Sequence, residues 1–205
     1  MYKISIIIIG LTVAIFGQIN QDNKNPKSQE HTNYHVSNNS MVEYVAETEM
    51  FFLFGSTING KNSSVTGVIN LDPLNLVNSA AKIIIDANGF TSCNDSRDEH
   101  IAEILKSKTH PQIIFILDSL SKLNSTDQSN NGFIAVGSLT VNGIKKLLSF
   151  PVVINRSSNE IKIFGEIEVL YSDFGMEPPT VGGGVVKDAK ESILLKASIV
   201  AHETK

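Results

Sequence analysis

The sequence predicts an all-β fold, an antiparallel barrel of about eight or nine strands carrying one short helix. Three observations predict it. From Met41 onward, apolar and polar residues alternate with a period of two, the pattern of strands with one face on a core and one in water. Turn signals punctuate these segments at short intervals, among them Asn59-Gly60, Asn88-Gly89 and Asn142-Gly143. Only the stretch from Thr91 to Phe115 carries a convincing helical pattern. A barrel is preferred to an open sandwich because closure removes edges that would otherwise pair with other chains.

Composition sets the outer bounds. The chain has 205 residues, an ordinary length for one domain, and a formal charge of −4. No Lys/Arg run occurs, Trp is absent and aromatic residues make up 7%, so nucleic acid is excluded as a partner on charge and on stacking surface. Cys93 is the single cysteine, so no internal disulfide can form and stability must come from the core. Its thiol reads as a tolerated small residue, with a nucleophile or an interchain bridge as the alternatives.

The amino terminus, MYKISIIIIGLTVAIFGQ, has one Lys, an apolar run from Ile4 to Phe16, and Gly17 at a cleavage point before Gln18. These are the parts of a signal peptide over residues 1–17, which predicts a periplasmic or secreted protein with no membrane span after cleavage. The run is short for a bilayer, which needs about 20 apolar residues; a retained anchor is the competing reading. Residues 18–40 are rich in Asn, Gln and Ser and cannot bury enough surface to offset ordering entropy, so they read as a flexible linker. His31 and His35 are four apart, but nothing makes that segment a helix able to bring them onto one metal. The barrel domain is therefore assigned to 41–205.

The strands follow in order. Val42, Tyr44 and Ala46 mark the first inward face, and Phe51–Ile58 is a second strand, ended by Asn59-Gly60. Next come Val65, Gly67, Ile69 and Leu71, then Ala81, Ile83, Ile85 and Ala87. In the helix, Ser96 and Glu99 form a capping box, Asp98 and Glu99 complement the dipole at its start, and Lys106 and Lys108 lie at its end. Ile101, Ile104 and Leu105 make its apolar stripe, and Pro111 ends it before the Ile113–Leu117 strand. Beyond a polar loop, Phe133, Ala135, Gly137, Leu139 and Val141 lead through Asn142-Gly143 to Leu148, Phe150, Val152 and Ile154. Pro151 marks an edge or bulge. Ile161, Ile163, Gly165, Ile167 and Val169 precede a long loop over 171–190, and Ile193, Leu195, Ala197 and Ile199 close the chain.

Many inward positions are small: Ala46, Gly67, Ala81, Ala87, Ala135, Gly137, Gly165 and Ala197. A barrel of eight strands is just wide enough to be filled by side chains or to hold one small ligand. Two readings follow. Small residues leave an apolar channel, or they serve bends and fit the taper of a filled barrel.

Five pieces in order resemble the YceI-like family of periplasmic polyisoprenoid-binding proteins, over Val42 to Ile199. They are Gly67-Val-Ile-Asn-Leu-Asp-Pro73; Thr91 leading to Arg97-Asp98-Glu99-His100-Ile101; His110-Pro111 before Ile113-Ile-Phe115; Val136-Gly-Ser-Leu139-Thr-Val-Asn-Gly143; and Ser172-Asp-Phe-Gly175. The resemblance implies a lipocalin-like barrel whose channel holds a long isoprenoid chain of the polyprenyl phosphate or quinone type. The expected ligand-binding positions are Tyr44, Ala46, Ile69, Ile83, Ile85, His100, Phe115, Ala135, Leu139, Phe150, Ile163, Ile167 and Leu195, with Arg97 at the head group. The sequence departs from the family at His110, where Tyr usually precedes the proline, and in its glycine-bearing last loop with a short final strand.

No cofactor beyond such a bound lipid or quinone is implied, and the histidines lack zinc-site spacing. Arg97 suits a phosphate and His100 a quinone or phosphate oxygen, while helix capping and lid packing account for the same cluster. Asp173-Phe174-Gly175 has no kinase context, and Gly182–Gly184 lacks the Lys-Ser/Thr of a phosphate loop. The reading is a binding protein without catalytic residues. Two alternatives stand beside it: an enzyme acting on a lipid or quinone through His100, and a filled barrel serving as a protein-interaction module, which a homodimer would suit.

Overall fold

The computed structural model describes residues 31–48, 56–72, 74–123, 131–179 and 190–204. Among them the alternating segments become ten strands: β1 Thr32–Val36, β2 Met41–Thr48, β3 Ser56–Asn62, β4 Val65–Leu71, β5 Ala80–Asp86, β6 Gln112–Lys122, β7 Gly132–Val141, β8 Ile144–Arg156, β9 Glu160–Leu170 and β10 Ser192–Glu203. Helix α1 spans Asp95–Ile104, and 3-10 turns lie at Leu76–Asn78 and Tyr171–Phe174. The expected signal peptide, the linker up to residue 30, the first part of the Phe51–Ile58 strand, the polar loop over 124–130 and the Gly182–Gly184 run lie outside the described residues.

Eight strands close an antiparallel barrel in the order β1, β4, β5, β6, β7, β8, β9, β10, with β10 returning to β1. The remaining two are an extension: β2 pairs with β10 beyond the point where β1 does, and β3 pairs with β2. β1 and β2 thus share one edge of β10 and are joined by a bend. Ser40 pins that bend, donating its hydroxyl to the Val200 carbonyl and accepting the Val200 N–H, both at 3.0 Å. Satisfying both groups is what lets a serine be buried there.

Four details differ from the sequence reading. β1 falls inside the segment expected to be linker; its TNYHV carries a single buried anchor, Tyr34, too little for a pattern to register. Asn59-Gly60 is not a turn but lies within β3, where Gly60 faces Tyr44 and a Cβ would sit 2.1 Å from the phenol ring. The helix cap is Asn94, whose side chain accepts the Arg97 N–H at 3.0 Å; Ser96 is exposed inside the first turn, and Lys106 and Lys108 lie past the helix end. The final strand is also long, running Ser192–Glu203.

Other signals hold. Asn142 and Gly143 adopt positive φ of 52° and 75°, as a two-residue hairpin turn between β7 and β8 requires. α1 buries Ile101 and half-buries Ile104 and Leu105, the expected stripe. Its leader is stitched to the extension by reciprocal backbone bonds between Lys61 and Thr91, at 2.9 and 2.8 Å. Asn62 holds the fork between β3 and β4, donating to the Asp86 carbonyl at 2.7 Å and accepting the Ser64 N–H at 2.8 Å. The small inward residues divide: Ala81, Ala135, Gly165 and Ala197 border open space, whereas a Cβ on Gly137 would lie 2.6 Å from the Phe115 ring.

Candidate functional site

The inward-facing residues of the barrel strands leave an apolar interior, and here that interior is not filled. It holds a cavity of about 230 Å³. β4 and β5 contribute Ile69, Ile83 and Ile85; β6 and β7 contribute Phe115, Ala135 and Leu139; β8 contributes Phe150. β9 and β10 add Ile163, Ile167 and Leu195, and Tyr44 enters from β2. Phe115 and Phe150 meet edge to face with centroids 5.7 Å apart, so β6 and β8, the two strands flanking β7, present one aromatic surface.

Three expected positions fall elsewhere. Ala46 is buried but outside the cavity lining. His100 is solvent-exposed on α1, with Nδ1 3.7 Å from Glu103, and does not line the cavity. Arg97 is half-buried at the helix start and does not line the cavity. Helix period does not separate them, since Arg97 and His100 stand four residues before Ile101 and Ile104; they lie in the part of α1 that precedes the cavity-lining residues.

The pairing registers put the end of β5, the start of β6, the β7–β8 turn and the end of β9 at one end of the barrel. That end is covered by α1 with its leader and by the Tyr171–Phe174 turn. From there Phe90, Tyr171, Phe174 and Met176 join the lining. The segment after β9, expected to be loop, begins with a 3-10 turn. Tyr171 and Phe174 stand three apart, the spacing that puts two side chains on one face of a 3-10 turn, and both are buried. That spacing was the signal available.

Two of the lining residues, Tyr44 and Tyr171, carry phenol oxygens that are buried rather than open to the cavity. Tyr44 and Tyr171 are 4% and 2% exposed, and neither phenol oxygen has a hydrogen-bond partner, although the Ser92 hydroxyl approaches Tyr44. Burial pushes the Tyr171 phenol up to about 12, with Tyr44 adding to the shift. Burial also raises Tyr44, Asp98 raises it further, and Arg97 and Ser92 partly offset this. Asp98 is itself well bound: burial would raise its carboxyl, but the Ser92 hydroxyl at 2.6 Å, the Ser92 N–H at 2.8 Å, the Thr91 hydroxyl at 3.0 Å and the Arg97 charge together hold it low. Tyr44 also packs on Phe90, centroids 5.7 Å apart.

Among the described residues, no group of three or more His, Cys, Asp or Glu side chains could hold a metal ion. No helix among them is long and apolar enough to cross a membrane. Cys93 is exposed in the α1 leader at a positive φ of 61°. His110, the residue that departs from the family pattern, packs over the β7–β8 turn, where a Cβ on Gly143 would lie 2.6 Å from its Cε1.

The family model for the YceI-like domain matches residues 31–201. Among solved structures, the chain is similar to Burkholderia cenocepacia BcnA (18% identity, TM-score 0.67), covering 80% of this chain and 98% of that one. It is similar to a polyisoprenoid binding domain from Saccharophagus degradans implicated in plant cell wall breakdown (10% identity, TM-score 0.64, 85% and 100% covered). It is also similar to the Campylobacter jejuni YCEI protein (20% identity, TM-score 0.62, 77% and 91% covered). No curated protein matches the sequence.

Proposed function

The chain belongs to the YceI-like domain family, and on that premise we propose that it is an exported binding protein holding a long isoprenoid chain in its barrel. The observation that carries this reading is the unfilled cavity of about 230 Å³, bordered by aliphatic and aromatic side chains from nearly every barrel strand. An empty apolar space of this size is otherwise costly to keep, because its lining forfeits packing contacts. An isoprenoid chain supplies them, gaining about 25 cal/mol for each Å² of apolar surface removed from water. The binding-protein character of the family and the polyisoprenoid binding of the Saccharophagus degradans domain support the same ligand class.

In this reading Ile83, Ile85, Phe115, Leu139, Phe150 and Ile167 grip the chain by shape and burial, with no chemical step. His100, exposed and outside the cavity, has no part in it. Export rests on the apolar run Ile4–Phe16, and amino-terminal sequencing of the mature protein should start at Gln18.

The test of binding is native mass spectrometry of protein purified from its own envelope, followed by organic extraction. A stoichiometric adduct extracting as an isoprenoid is expected. A clean unliganded mass that stays unchanged after incubation with isoprenoids would sink the proposal.

A further inference from the structure

The two strands that close the barrel meet over a short ladder. β1 and β10 pair at Tyr34 with Glu203, His35 with His202, and Val36 with Ala201. Tyr34 and Ala201 are buried, so strand alternation turns His35 and His202 outward. Both are exposed, His202 with 54% of its side chain open to water. The row continues on β9, where Glu160 pairs with His202 and its carboxylate stands 4.0 Å from His202 Nδ1. Two imidazoles and a carboxylate thus lie in register across β1, β10 and β9, on the outer face and away from the cavity lining.

The chemistry of that row is specific. Neutral imidazole is the commonest side-chain ligand of transition metals. Side chains directly opposite on antiparallel strands have Cβ atoms about 4.5–5.5 Å apart. Two imidazoles can close that span onto one ion at about 2.0–2.1 Å from each nitrogen. Among the described residues no third His, Cys, Asp or Glu completes the set, so water takes the remaining positions and the ion is exchangeable. Glu160, shared with Lys162 at 3.4 Å, lies on the Nδ1 side of His202 and leaves Nε2 for the metal. A carboxylate so placed orients a ligating histidine from the outer shell. With nitrogen ligands and no thiolate, affinity rises along the divalent series and is greatest for Cu²⁺.

We propose that His35 and His202 form a two-imidazole site for a divalent transition-metal ion, Cu²⁺ by preference, with Glu160 behind His202, and that the bound ion fastens the closing strand β1 to β10. The site is independent of the isoprenoid-cavity reading.

Calorimetric titration of the full chain with Cu²⁺ tests it. His35→Thr and His202→Thr keep residues that suit a strand, and each should bind about tenfold or more weakly, because a chelate falls back to a lone imidazole. Electron paramagnetic resonance should count two imidazole nitrogens in the parent and one in each single variant. Glu160→Gln should keep both nitrogens and weaken binding by up to about tenfold. His31→Thr and His100→Thr should match the parent. At about ten times Kd, amide exchange over Thr32–Val36 should slow about tenfold in the parent and not in the double variant. Labelling with diethyl pyrocarbonate needs no variant: Cu²⁺ should shield His35 and His202 and leave His31 and His100 reactive. A double variant that keeps the parent's affinity and two-nitrogen signal overturns the proposal. So does labelling of His35 and His202 that the metal leaves unchanged, or exchange over β1 that is the same with and without Cu²⁺.

Discussion

The wall from β4 to β7 and the seam between β8 and β9 close the same barrel by different means. In the wall, ladders run along most of each strand, and the inward residues pack on one another with backbone groups already satisfied. At the seam, β8 meets β9 only from Val152 to Arg156. Beyond that point the ladder stops, and the start of β8, at Ile144 and Lys146, lies against Gly175 and Asp173 instead. Pro151 stands just where the ladder stops, a place where a missing donor costs little. The seam is shut by two buried rings, by the Asn142 amide donating to the Phe174 carbonyl at 3.1 Å, and by Lys146 at 3.4 Å from Asp173. Side-chain closures open more cheaply than ladders do. One barrel thus has a fixed half and a half that can part.

The contrast can be broken most forcefully from the wall. Leu139→Asp puts an unpaired carboxylate among Ile113, Phe115 and Ala135, and should cost about 3 kcal/mol or more, read by urea unfolding. Next come truncations of matched burial. Ile85→Ala in the wall should cost about 2–5 kcal/mol, whereas Phe174→Ala, though it removes more volume, should cost less because the turn can relax without unfolding the barrel. Equal or larger loss at Phe174 would mean that the seam is as integral as the wall.

The pH dependence sharpens the same point. With its folded phenol at about 12, Tyr171 stays protonated where the unfolded chain ionises near 10. The unfolded state then binds fewer protons, so stability is unaffected below pH 10 and declines between pH 10 and 12. Thermal melts should show that decline and show it reduced in Tyr171→Phe. The smaller effects concern the pins. Asn142→Gly keeps the turn geometry but removes the bond to Phe174, which should cost about 1 kcal/mol and speed hydrogen exchange over residues 171–176 relative to β7. Lys146→Ala, an exposed pair, should cost under about 0.5 kcal/mol.

The wall was legible in the sequence and the seam was not, for a physical reason. Ile83 and Ile85 on β5, and Ala135 and Leu139 on β7, sit two or four residues apart along regular strands, where period alone fixes the face. Asn142-Gly143 was readable because its positive φ values leave few residue choices. Asn59-Gly60 has the same spelling and another cause: Gly60 makes room for the Tyr44 ring, a demand set by a neighbouring strand that local pattern does not carry. Asn94 and Ser96 are both competent caps, and only the onset of α1 separates them. His100 was expected on the cavity for its chemistry, and it shares a helix face with Ile104 four residues on, so helical spacing alone could not tell that it lies outside. That Tyr44 and Tyr171 line one cavity was not readable, because they are 127 residues apart and come together only through the fold.

The void of about 230 Å³ has a consequence for how long a molecule of this protein lasts. Empty and loaded barrels differ by a missing piece of core, and unfilled apolar space in a folded protein costs on the order of a few kcal/mol. A ligand held at about a hundred times its Kd stabilises the fold by roughly 2.7 kcal/mol through mass action alone. Proteases that act on opened chains therefore remove empty copies first, and limited proteolysis should spare the loaded form. Turnover then tracks supply: where ligand is scarce, the population of barrels shrinks to match it.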